Sequence, residues 1–388
     1  MNVLMLSWEY RPNVVGGLGV HVDHLASVLA RKGVKVHVVT PAVKGGAEEE
    51  TDGNLHVSRV DGNLGGGDFI EQVMIANDYI YGRAAATAAT QPGPWLIHAH
   101  DWLVGPAAKR LKHDYQLPLL ATIHATEHGR NHGIHNELQR RVHEQEYELS
   151  YEAQYVIACS RFMAAQVRDV FQAPPDKIGV IPNGVEVPGQ DQGFDRQAFR
   201  RCYAGDDEKL VLNVGRLVAE KGIDVVLRAV PKALEVLPDL KFVVVGMGPG
   251  LEYAKEYAAA QEWANKMYFT GFVSDEVRNR LYQVADVAIF PSLYEPFGIV
   301  ALEAMGFRVP VVVSNSGGLT EVVDGDRTGV IVEAGSDDSL AWGLAHVLRQ
   351  PWLSQLRVEA AYQRVVSEFN WDVVAEKTIG VYRRLLGG

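Results

Sequence analysis

Two glutamates, Glu295 and Glu303, stand with seven residues between them in FPSLYEPFGIVALEAMGFRVPVVVSNSGGL, Phe290 to Leu319. Paired carboxylates suggest acid/base chemistry. At a helical rise of 1.5 Å per residue, however, they would lie ~12 Å apart, too far to share a proton. Upstream, Arg216 and Lys221 are five residues apart across GRLVAEKG. One supplies a planar fork and the other a point charge, the pair of cations a diphosphate needs. Gly16-Gly17-Leu18-Gly19 precedes a helical pattern, so its backbone N–H groups and the helix end can receive a phosphate. The stretch is neither a GxGxxG fingerprint nor a Walker sequence, and a plain strand–helix turn is the alternative.

Histidines form the other group. His98-Ala99-His100-Asp101-Trp102 and Thr122-Ile123-His124 both close apolar runs. Two histidines at i and i+2 of a strand point the same way and could hold a metal. The sequence offers no third ligand nearby, so the favoured reading is a polar wall, with Asp101 binding a hydroxyl and His124 facing a ligand. Asp324-Gly325-Asp326 formally matches a DxD metal site, but Asp-Gly there is ordinary turn chemistry.

These residues need strands and turns to hold them. Short apolar runs at Asn2–Ser7, Val34–Thr40, Trp95–Ala99, Leu119–Ile123, Tyr155–Ala158 and Ile178–Ile181 alternate with helical patterns, including Asp101–His113 and Asn136–Ser150. A second series follows at Leu210–Val214, Lys241–Val245, Met267–Thr270, Val287–Phe290, Val309–Val313 and Gly329–Val332. Such alternation predicts parallel sheets covered on both faces. The fold class is therefore α/β, with two doubly wound, Rossmann-like domains and a site expected in the cleft between them. The pattern breaks at Ile181-Pro182-Asn183-Gly184, and Val187–Phe194 has linker composition. This gives domains 1–184 and 185–370. The helical pattern Trp371–Leu386 is expected to return to the first domain, and Phe369-Asn370-Trp371 reads as a kink.

The 388 residues suit two domains, and the formal net charge of −11 argues against a general nucleic-acid or membrane-surface binder. The two cysteines, Cys159 and Cys202, fit no metal spacing and favour a reducing, cytoplasmic setting. The opening apolar run stops at Glu9 and Arg11, which reads as a first strand and not a leader. No stretch approaches the roughly 20 apolar residues of a membrane helix.

Taken together, GGLG, HAHDW, TIH, the GRL–EKG pair, PSLYEPFGIVALEAMG and SNSGGLTEVV resemble the retaining glycosyltransferases of family 4 over almost the whole chain. EYRPNVVGGLG with HAHDW is most similar to the glycogen and starch synthase branch and the maltose-1-phosphate synthases. The resemblance implies the GT-B fold and transfer of a hexose, α-glucosyl in particular, from a nucleotide-diphosphate sugar to a carbohydrate acceptor. It implies no metal and no separate cofactor, with ADP- or UDP-glucose favoured as donor. Gly16, Gly17, Leu18 and Gly19 would meet the donor's distal phosphate or sugar, and His124 the transferred sugar near its 6-hydroxyl. Arg216 and Lys221 would hold the diphosphate, Glu295 would sit by the sugar, and Glu303 would bind the ribose hydroxyls. Gly215, Gly298 and the amides around Gly318 and Leu319 would add donor contacts, and Asp101 would face the acceptor.

One departure stands out. Longer bacterial glycogen synthases carry a lysine in KxGGLG, whereas Asn13-Val14-Val15 precedes Gly16 here. The polar, His-rich Ala125–Gln139 is placed to shape acceptor choice. A lipid or cell-envelope acceptor is the alternative and would need a basic face, for which Lys109, Arg110 and Lys112 are the nearest candidates. An epimerase of the same fold and a non-catalytic nucleotide-sugar sensor are the remaining readings.

Overall fold

A computed structural model describes residues 1–42, 45–62, 65–91, 93–187, 189 and 193–387. The chain divides into two compact units, Met1–Gly184 with Trp371–Gly388, and Val185–Asn370. Of the linker-like stretch Val187–Phe194, residues 188 and 190–192 lie outside the described residues.

The first unit is built on β1 (Asn2–Ser7), β2 (Lys35–Pro41), β3 (Glu49–Asp52), β4 (Leu55–Val60), β5 (Trp95–His100), β6 (Leu119–Ile123), β7 (Tyr155–Ala158) and β8 (Ile178–Val180). They form one sheet in the order β3-β4-β2-β1-β5-β6-β7-β8. All pairs are parallel except β3–β4. Every residue of β1, β5 and β6 is buried, as expected for strands covered on both faces. The register sets Ser7 beside His100 and His100 beside Thr122, so β1, β5 and β6 end together. The strands β3 and β4 were not among those read from the sequence. EETD is exposed throughout, and such a charged strand protects the sheet edge it forms.

The helix Gly17–Arg31 buries Val22, Leu25 and Leu29 on one stripe and stops before Gly33, whose φ of 86° suits a helix end. The last helix, Trp371–Leu385, buries Trp371, Val374, Ala375, Ile379 and Tyr382 in the same core as Val3, Met5, Val22 and Leu25. Burial of side chains such as Val374 and Ile379 contributes about 1.5–3 kcal/mol each. The hydroxyl of Tyr382 also meets His98 Nδ1 at 2.7 Å. Phe369-Asn370-Trp371 is a break between helices, Pro351–Glu368 and Trp371–Leu385, and the unit boundary falls between Asn370 and Trp371.

The second unit contains β9 (Lys209–Val214), β10 (Leu240–Val245), β11 (Met267–Gly271), β12 (Val287–Phe290), β13 (Val311–Ser314) and β14 (Val330–Val332). All are parallel, in the order β11-β10-β9-β12-β13-β14. The order reverses at β9 and β12, so the turns after these two strands lie at a topological switch point, where open α/β sheets bind ligands. Those turns carry Arg216 and Glu295.

Candidate active site

In the second unit, the turn after β9 runs through Gly215 and Arg216 into the single 3-10 turn Ala219–Lys221. Arg216 is half-exposed and pairs with Glu220 at 3.4 Å. Gly222 follows at φ 75°, and a Cβ there would stand 2.1 Å from the Pro291 carbonyl oxygen. Only glycine allows that approach. It brings the EKG turn against the turn after β12, where the amides of Leu293 and Tyr294 donate to the Glu220 carbonyl. Lys221 Nζ then reaches Glu295 Oε2 at 2.6 Å, and Ser292 Oγ donates to the same oxygen at 3.2 Å. The Glu295 side chain is 8% exposed and that of Lys221 25%. Lys221 and Glu295 are thus one charged unit, with the cation nearer to solvent.

The Glu295 carbonyl accepts from the Gly318 amide at 2.8 Å, which ties the turn after β12 to the turn after β13. Gly318 caps the short helix Leu319–Val322, and no side chain occupies that cap. Gly298, at φ 111°, opens the helix Ile299–Gly306, which carries Glu303. The helix begins four residues after Glu295, so the ~12 Å helical spacing read from the sequence does not apply to this pair. Tyr282 Oη donates to Glu303 Oε2 at 3.2 Å, and Arg278 lies 3.8 Å from Oε1. Asp324 and Asp326 are ion-paired with Arg327 and Arg357, within a turn closed by the Gly325–Gly329 bridge.

In the first unit, the helix Gly17–Arg31 starts without a side-chain cap. The amides just before it are not bare, contrary to the sequence expectation. Glu9 Oε2 accepts from Val15 N at 2.9 Å and from Gly16 N at 3.0 Å. A Cβ on Gly19 would meet that oxygen at 2.8 Å, so the glycine leaves room for the carboxylate. The first-turn amides of Gly17, Leu18 and Gly19 stay available at the helix's positive end.

Asp101 and His124 end adjacent strands. The backbone of Asp101 stands at φ 58° and ψ 172°, a conformation kept only where the surroundings enforce it. Its Oδ1 accepts from His124 N at 2.7 Å. Asp101, expected to face an acceptor hydroxyl, therefore fixes the backbone of His124. Burial pushes its carboxyl up to about 7, against the opposing amides of His124 and Ala125. The next segment, Ala125–Gln139, folds as a capped short helix, Glu127–Asn131, and then leads into Glu137–Glu152. Glu146 holds the Glu127 amide with both oxygens, at 2.8 and 3.1 Å.

His124 Nε2 lies 3.2 Å from His100 Nδ1, and its ring packs 4.8 Å from that of His21. Burial holds His21, His98 and His100 well below the usual imidazole range and takes His124 to about 3. All four are neutral near pH 7. Lys109, Arg110 and Lys112, the candidate basic face, pair with Glu148, Asp78 and Glu152. No helix among the described residues is long and apolar enough to cross a membrane.

Family models match both halves of the chain, "Glycosyltransferase Family 4" over residues 15–187 and "Glycosyl transferases group 1" over residues 195–364. An uncharacterized glycosyltransferase of Methanocaldococcus jannaschii is 35% identical, over 99% of this chain and 98% of its own. The chain belongs to glycosyltransferase family 4. A glycogen synthase of Mycobacterium tuberculosis is also 35% identical, over 98% of this chain and 94% of its own. Among solved structures, sucrose-phosphate synthase from Thermosynechococcus elongatus superposes with a TM-score of 0.83 at 24% identity, covering 100% and 99% of the two chains. The fold of this family 4 glycosyltransferase is GT-B, with two Rossmann-like parallel-sheet domains.

The structure brings Lys221, Glu295 and Gly318 together in one unit, and Asp101 and His124 in the other. Sequence reasoning missed His21, Asn183, Glu9 and Glu146. His21 had a signal, since it lies one position before Val22 on the buried stripe of its helix. A histidine on a core-facing stripe must find a polar partner.

Proposed function

We propose that this family 4 enzyme is a retaining hexosyltransferase that moves an α-glucosyl group from ADP- or UDP-glucose to a carbohydrate acceptor, without a metal. The observation that carries this reading is the Lys221–Glu295 pair at the switch point of the second sheet, with Arg216 and the Gly318 turn beside it. Cations and N–H donors held in place before reaction stabilise the charge that develops on a departing diphosphate. Arg216 and Lys221 supply that charge in place of a divalent ion. Glu303, oriented by Tyr282, accepts from the ribose hydroxyls. Gly17, Leu18 and Gly19 present amides to the distal phosphate or sugar, and neutral His124 contacts the sugar's 6-hydroxyl.

Both side-chain hydrogen bonds to the Glu295 carboxylate fall on Oε2, and we assign this carboxylate to steadying positive charge at the anomeric carbon. Transfer then proceeds on one face of the sugar. The C1–O bond to the diphosphate breaks, the acceptor oxygen bonds to C1, and the acceptor's proton passes to a leaving phosphate oxygen. The paired state of Lys109, Arg110 and Lys112 disfavours an acceptor presented on an anionic membrane.

A panel of nucleotide sugars, scored for hydrolysis and thermal stabilisation in EDTA, tests the assignment. A glucose donor should raise Tm because it binds only the folded state. NMR of the product with a maltooligosaccharide acceptor should show the α-anomer. A β-linked product, a covalent glycosyl adduct, or strict dependence on a divalent ion would each refute this scheme.

A further inference from the structure

His21, His100 and His124 come from three different elements, and each offers a ligand nitrogen within 4.8 Å of the other two. All three are buried, with relative exposures of 3%, 0% and 9%. A neutral imidazole has one lone pair to give a metal. His21 is already oriented for it. Its Nδ1 stands 2.8 Å from Asn183 Oδ1, and an amide oxygen only accepts, so Nδ1 carries the hydrogen. The lone pair is then on Nε2, which is buried and has no hydrogen-bond partner among the described residues. A ligating histidine that donates its other N–H to a carbonyl oxygen is the usual outer-shell arrangement of metal sites.

One pair already has the spacing of bound ligands, and the third ring must close in from up to 4.8 Å when the ion binds. Two nitrogens bound at 2.0–2.1 Å to a tetrahedral ion lie about 3.3 Å apart. His100 Nδ1 and His124 Nε2 are 3.2 Å apart. His98 is not part of the set, since its nitrogens meet Tyr382 Oη and Thr122 Oγ1, both at 2.7 Å.

We propose that His21, His100 and His124 form a binding site for a divalent transition ion of the zinc class, with a fourth position left to solvent. Three imidazoles and no carboxylate select zinc, cobalt, nickel or copper over magnesium and calcium. The ion plays no part in transfer. By ligating His124 it withdraws that ring from the sugar, so zinc inhibits; this consequence, unlike the binding itself, rests on the proposed function of His124.

Dialysis of the full chain against EDTA and titration with Co²⁺ tests the site without any substrate. The visible d–d bands of tetrahedral cobalt should appear and saturate, and Zn²⁺ should displace them. His21→Gln should weaken zinc binding at least about 10-fold in calorimetry. Asn183→Ala, which keeps all three rings, should weaken it about 10–100-fold. His113→Gln, on an exposed imidazole, should change nothing. Wild-type protein without the bands, or zinc affinity unchanged in both His21→Gln and Asn183→Ala, overturns the site. A saturated cobalt spectrum with an unaltered transfer rate overturns the inhibition alone. An inactive protein with the spectrum intact counts against the transferase reading and not against the metal site.

Discussion

Replacing Glu146 with glutamine probes how the segment after His124 is held. Glu146 is 2% exposed, and burial raises its carboxyl from 4.5 to about 8. Asp101 adds to the rise, while the Glu127 amide and Arg130 oppose it. The fold therefore keeps a proton that the unfolded chain releases above pH 4.5. Stability from this group is complete below 4.5, declines as pH rises, and is lost by about 8. At 1.36 kcal/mol per pH unit, the loss is on the order of 3 kcal/mol by pH 7 and 4 kcal/mol by pH 8. Glutamine keeps the neutral shape and an oxygen for the Glu127 amide at every pH. Wild type and Glu146→Gln should melt together near pH 5. At pH 7 the first unit should melt higher in the variant by roughly 6–12 °C, at about 2–4 °C per kcal/mol. The assay is calorimetry of both proteins from pH 5 to 8. Asp101 titrates with the same sign and is coupled to Glu146, so the difference reports Glu146 together with its repulsion from Asp101. Parallel pH profiles would refute the reasoning.

Other perturbations address the catalytic and structural roles. Lys221→Ala should lower kcat about 100–1,000-fold, the usual effect of removing one prepositioned donor from a developing oxyanion; a kcat within threefold of wild type removes Lys221 from the mechanism. Glu303→Gln should raise the donor KM by about 10–100-fold, the range for losing a charged hydrogen bond, with kcat nearly kept. A kcat-only defect in steady-state rates would contradict a ribose role. Trp371→Ala should cost the first unit about 3–5 kcal/mol, read by urea denaturation, because Trp371 is buried in that unit's core. An unchanged midpoint would mean that the last helix is dispensable there.

Much of the fold could be read because its strands are short, apolar and buried on both faces. Leu119–Ile123, Tyr155–Ala158 and Val287–Phe290 have the same limits in sequence and structure. The exceptions are physical. Glu49–Asp52 buries nothing, and Leu55–Val60 interrupts its apolar residues with His56, Ser58 and Arg59. Within the site, residue type and strand-end position singled out Lys221 and Glu295, which lie 74 residues apart and meet at 2.6 Å. Partnerships without a local pattern stayed hidden. His21 and Asn183 are 162 residues apart and joined by one hydrogen bond. Glu146 lies on a polar-looking helix, where nothing marks one glutamate as buried. The amide of Gly16 looked open because it lies seven residues from Glu9, and only the folded turn brings that carboxylate back to it.

The return of the chain at Trp371 has a consequence for biosynthesis. At 5–20 residues per second, a ribosome needs roughly 10–40 s to add the ~190 residues between Gly184 and that helix. During that interval the nascent first unit lacks Trp371, Val374, Ala375, Ile379 and Tyr382, and leaves part of its apolar interior open. The second unit, contiguous from Val185 to Asn370, has everything it needs before the first can close. The part made first is thus the part finished last, and in that window its apolar interior is exposed to solvent.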